Sequence, residues 1–128
     1  VVWLRKAAAV ADMTEAISED DVLVATWGEG ATWVDYYLVL SRSPKMVLLQ
    51  PVTTEVVRAG PVNNEVLPNT LDSSGETFRK KVKTEWIHST GTVREVVELG
   101  RWVGAPVARV WNGERNLQSS WIRFNDTR

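Results

Sequence analysis

The pattern of apolar and polar positions changes rhythm near residue 21. Before it, Trp3, Ala7, Val10, Thr14 and Ile17 recur at steps of three and four, the spacing of one helix face. The triplet Ala7-Ala8-Ala9 favours helix intrinsically. Ser18 and the acids Glu19, Asp20 and Asp21 end the pattern poorly, because carboxylates oppose the dipole at a helix C-terminus. A short helix over residues 3–17 is predicted. Residues 1–18 are thus read as an N-terminal helix or flexible extension, and residues 19–128 as a single β-rich domain.

From residue 22 the runs are short and β-like. Val22 to Trp27 is apolar on both faces, as in a buried strand, and Gly28-Glu29-Gly30 is a turn. Trp33 to Ser41 alternates: Val34, Tyr36, Leu38 and Leu40 share one face, and Trp33, Asp35, Tyr37 and Val39 the other. Met46 to Gln50 is the next strand, ended by Pro51, which cannot donate to a central ladder. Residues 53–58 continue as an edge strand, and residues 59–75, rich in Gly, Pro, Asn, Asp and Ser, are predicted to be a long loop.

The second half opens with an amphipathic strand at residues 76–87. Phe78, Val82 and Trp86 lie on one face together with Lys80 and Thr84, and Arg79, Lys81, Lys83 and Glu85 on the other. His88 to Gly91 is a hairpin turn from which Thr92 to Leu99 returns. After a break at Gly100 to Gly104, Pro106 to Trp111 is a short strand. Asn112-Gly113 is a type I′ hairpin signal, with residues 117–124 pairing back. Six or seven short strands joined by such turns imply a mainly β fold, a small antiparallel barrel or sandwich. Within that class an SH3-like barrel is favoured by analogy, because it too is a meander of bent strands.

Composition narrows the chemistry. The 128 residues contain no Cys and one His, His88. That excludes disulfides, thiolate metal sites, a cysteine nucleophile and any site needing two imidazoles from one chain. No cofactor and no metal site are expected. The net charge of −1 argues against binding nucleic acid or membrane with the whole surface, and is too small for imitation of a DNA duplex. No apolar run approaches the roughly 20 residues that span a bilayer. Arg5 and Lys6 follow the first apolar residues and Asp12 interrupts the alanines, the reverse of a signal peptide. A cytoplasmic setting is the default expectation.

Two groups of residues carry candidate chemistry. Trp33, Asp35 and Tyr37 share one strand face. They pack a core if that face is covered, and form a base-stacking or cation-holding pocket if it is open. Arg79, Lys81 and Lys83 form a cationic row with a repeat of about 6.6 Å, close to the spacing of phosphates along one nucleic-acid strand. Three phosphate contacts would give a salt slope of about −3. The same row also serves as a solvated face or an edge protected from aggregation. Glu95 and Glu98 on the partner strand differ in parity, so only one of them can neutralise the row. His88 is a turn residue with no Gly-x-Ser-x-Gly elbow beside it. No catalytic residue is assigned; an acid-based activity would centre on Asp35.

The segment Thr26-Trp27-Gly28-Glu29-Gly30-Ala31-Thr32-Trp33-Val34-Asp35-Tyr36-Tyr37-Leu38-Val39 resembles a pattern of small uncharacterised proteins of bacteriophages and other mobile elements. That pattern reads roughly Ser-Trp-Gly-Tyr-x-x-Thr-x-x-Asp-Phe-Tyr. Gly75 to Lys80 and Trp111-Asn112-Gly113 look like its later pieces. Glu29 and Asn112 depart from it, standing where an aromatic residue and an Asp are usual. The resemblance implies a phage-type accessory protein and brings no catalytic residues. Two functions follow as expectations. One is a non-catalytic module that binds nucleic acid through Arg79, Lys81, Lys83, Trp33, Asp35 and Tyr37. The alternative is a protein–protein inhibitor of a host defence or regulatory complex, of the anti-CRISPR kind.

Overall fold

The structure, a computed structural model, describes residues 13–120. Ten strands follow in chain order: β1 (Met13–Glu15), β2 (Val22–Trp27), β3 (Trp33–Arg42), β4 (Met46–Arg58), β5 (Asn63–Ser73), β6 (Phe78–Lys81), β7 (Lys83–Ile87), β8 (Thr92–Glu98), β9 (Val107–Val110) and β10 (Asn116–Ser119). They build one curled, mostly antiparallel sheet in the order β1-β8-β9-β2-β3-β4-β5-β10. β6 joins the edge of β4, and β7 joins the edge of β8. Only Val82 separates β6 from β7, so one bent segment links the two halves of the curl. Among the described residues no helix is long and apolar enough to cross a membrane.

β3 explains how this sheet makes two cores. It is apolar on both faces, so each face needs its own cover. Val39 and the half-buried Tyr37 join Leu23, Ala25, Val47, Leu49, Val97 and Ala108 inside the curl. Val34 and Tyr36 pack with Val52 and Val66 on the other side, where Trp111 meets Tyr36 edge-on with ring centroids 6.1 Å apart. β4 also serves both cores by alternation, giving Val47 and Leu49 to the first and Val52 to the second. The β3–β4 register shifts between Val39 and Ser41.

One end of the first core is closed by an ion pair. Arg42 and Glu95 make a two-pronged contact, with Arg42 Nη2 donating to Glu95 Oε2 at 2.8 Å. The Ile17 N–H donates to Glu95 Oε1 at 2.9 Å, and Arg42 Nη1 donates to the Ile17 carbonyl at 2.6 Å. Arg42 therefore holds Glu95 below the usual carboxylate range, with the Ile17 N–H helping against the cost of burial.

Several expectations are corrected here. Residues 13–15 form a parallel pair with β8, and Ile17 is buried in the core, so the C-terminal part of the expected helix is strand and plug. The rest of it, residues 3–12, lies outside the described residues. The expected long loop at 59–75 is mostly β5, which pairs with β4 from Val52 to Arg58. β4 accordingly runs through Pro51, which sits opposite Tyr37. The expected type I′ hairpin at Asn112-Gly113 is absent: Gly113 has φ +87° but Asn112 has no positive φ, and β10 pairs with β5 and not with β9.

Candidate functional site

β6 sorts its residues by pairing with β4, where Met46 faces Lys81 and Leu49 faces Phe78. Phe78 turns into the first core and meets Tyr37 edge-on at 5.7 Å. Arg79 and Lys81 are therefore left on the outside. At Val82 the N–H donates to the Lys45 carbonyl at 2.9 Å, the side chain stays against the core, and the chain bends into β7. Lys83 emerges on the exposed side, so the cationic row continues across the bend.

This row borders a half-open depression of about 630 Å³, where Arg79, Lys80, Lys81, Lys83 and Arg101 gather with Glu98. Five cations thus face one carboxylate in a chain whose net charge is −1. Lys83 Nζ lies 3.1 Å from Glu98 Oε2, and both side chains are about half exposed (52% and 45%), so water screens the pair. Glu95, of the opposite parity, is tied to Arg42 inside the curl, as alternation requires. Lys80 and Arg101 were not anticipated. Lys80 lies between the row's members on β6, and Arg101 comes from the β8–β9 loop, far along the chain.

The aromatic group is divided by the fold. Tyr37 serves the first core. Trp33 faces Trp27 across the β2–β3 ladder, with ring centroids 6.4 Å apart, and Trp27 Nε1 donates to Asp35 Oδ2 at 2.6 Å. Trp33, Asp35 and Tyr37 do not line the cationic depression. Gly28 makes the β2–β3 turn possible. Its φ is +121°, and a Cβ there would lie 2.3 Å from the Ala31 carbonyl oxygen.

A second hollow, of about 690 Å³, separates that turn from the β8–β9 loop, with Trp27 and Glu29 on one side and Trp102, Pro106 and Arg109 on the other. Arg109 donates to both oxygens of Glu85, at 2.9 and 2.6 Å, and Arg94 Nε donates to Glu85 Oε2 at 2.8 Å. The Arg109 hydrogen bonds, with those of Arg94, hold the Glu85 carboxyl down at about 2 despite partial burial. His88 is exposed at the β7–β8 turn. Among the described residues no group of three or more His, Cys, Asp or Glu gathers as metal ligands would. No protein-family model, curated protein or solved structure matches this chain.

Proposed function

We propose that the chain is a non-catalytic module that binds the phosphate backbone of a nucleic acid in the depression between β6 and the β8–β9 loop. The observation that carries this reading is the collection of Arg79, Lys80, Lys81, Lys83 and Arg101 around the single carboxylate of Glu98. Like charges repel, so a fold gathers five cations in one hollow at a cost in stability that an anion would offset. Arg79 and Lys81 repeat at about 6.6 Å along β6, which suits successive phosphates, and Lys83 follows beyond the bend at Val82. A small SH3-like barrel would present such a strand rigidly.

Fluorescence anisotropy with labelled DNA and RNA tests the proposal. Binding through all five cations would lower log K with log salt at a slope of about −3.5 to −4.5. The double charge reversal K81E/K83E is expected to abolish binding at 200 mM salt. Affinity unchanged by that double variant, or no binding at 50 mM salt, would overturn the proposal.

A further inference from the structure

The β8–β9 loop, residues 99–106, is a wall shared by two hollows. Gly100 and Arg101 line the cationic depression, while Trp102 and Pro106 line the hollow that faces Trp27. Arg101 and Trp102 are adjacent, with Cα atoms about 3.8 Å apart. Two consecutive residues of the loop thus line different hollows, Arg101 the cationic one and Trp102 the one that faces Trp27.

Trp102 is 66% exposed. Exposure by itself says little, since single exposed apolar residues are common. What distinguishes this indole is its seat. A Cβ built on Gly100 would lie 2.2 Å from Trp102 Cζ3, 2.4 Å from Cη2 and 2.7 Å from Cε3. The six-membered ring therefore rests on the bare backbone of Gly100, where any side chain would displace it. The loop is pinned below this seat. The Leu99 N–H donates to the Pro106 carbonyl at 2.9 Å, and the Ala105 N–H to the Trp102 carbonyl at 3.1 Å.

We infer that the site takes single-stranded in preference to duplex nucleic acid, with Trp102, seated on Gly100, as a platform for one unstacked base next to the phosphate held by Arg101. This rests on the reading of the depression as a phosphate-backbone site. The physical reason is access. In a duplex each base face is covered by its neighbours, so a ring outside the grooves finds nothing to stack on. A single strand can turn a base outward while its phosphates stay on the cations. Trp27, whose indole N–H donates to Asp35, lines the same hollow.

Three labelled or competing probes test this at fixed salt: a 15-nucleotide oligo(dT), a duplex of equal length, and heparin, a polyanion without bases. Oligo(dT) should bind more tightly than the duplex. Trp102→Ala should weaken oligo(dT) by about 5- to 150-fold, the range of one base–aromatic stack, and change heparin and duplex binding less than twofold. Trp102→Phe should restore most of the loss. Gly100→Ala, which moves an exposed ring without a strained φ, should weaken oligo(dT) alone and leave the thermal midpoint unchanged. Equal affinity for duplex and single strand, or a Trp102→Ala loss shared equally with heparin, overturns the inference while leaving the phosphate site standing. Failure of every nucleic acid to bind overturns both.

Discussion

Glu85→Gln removes the charge at the centre of the Arg94–Glu85–Arg109 group while keeping its shape. A carboxyl moved from 4.5 to about 2 corresponds to at most about 3 kcal/mol of preferential stabilisation of its charged form, at 1.36 kcal/mol per tenfold change. The side chains of Glu85 and Arg109 are 30% and 37% exposed, and solvent screening reduces the contribution to about 1–2 kcal/mol. With a urea m-value of about 1.5 kcal/mol/M, the variant should unfold at about 1 M less urea at pH 7. Because the folded-state value is the lower one, this stability is fully present above about 4.5 and is lost as pH falls toward about 2. The gap between wild type and Glu85→Gln should therefore be constant from pH 7 to about 5 and shrink by about half near pH 3. Urea titrations followed by tryptophan fluorescence at pH 7, 5 and 3 measure it. A gap as large at pH 3 as at pH 7 would refute the assignment of this stability to the ionised carboxylate.

Three other outcomes follow from the cores. Leu23 is fully buried, so Leu23→Ala should cost about 2–5 kcal/mol in chemical denaturation. Burial raises the Tyr36 phenol to about 12, and its hydroxyl donates to Asn116 Oδ1 at 2.6 Å. The folded state thus prefers the protonated phenol: wild type should lose stability between about pH 10 and 12, and Tyr36→Phe should abolish that alkaline loss while costing about 1 kcal/mol at pH 7. Arg42→Met leaves Glu95 half-enclosed without its guanidinium, and should cost about 3 kcal/mol at neutral pH by urea unfolding, with part of the loss recovered in acid as Glu95 protonates.

The parts of the fold legible in the sequence were those whose pattern is local. Leu23, Ala25, Val34 and Tyr36 alternate within their own strands, and β2, β3 and the β7–β8 hairpin stand where that alternation puts them. β5 was hidden because only Val66 is fully buried in it; its strand character comes from pairing with β4, not from its Asn- and Pro-rich composition. Trp86 shares a face with Phe78 and Val82 by alternation, yet it is 53% exposed. The bend at Val82 changes which way the chain faces, and a single-residue kink leaves no trace in a period-two pattern. At the site, Arg79 and Lys81 were legible from the alternation within β6. Arg101 was not, because only the β8–β9 pairing brings its loop beside β6.

The circuit of strand pairs also has a consequence for the order in which the chain can fold. Leu23 pairs with Val110, and the Val34 N–H bonds to Gln118 across 84 residues of sequence. During synthesis β2 to β5 can assemble as a local meander, but Val97 and Ala108, needed to fill the first core, emerge only after it, on β8 and β9. Until then β2 offers an unpaired edge and an uncovered apolar face, the state in which strands recruit neighbouring chains. Closure of such distant pairs is entropically slow, so refolding is expected in milliseconds to seconds, with β9 docking late.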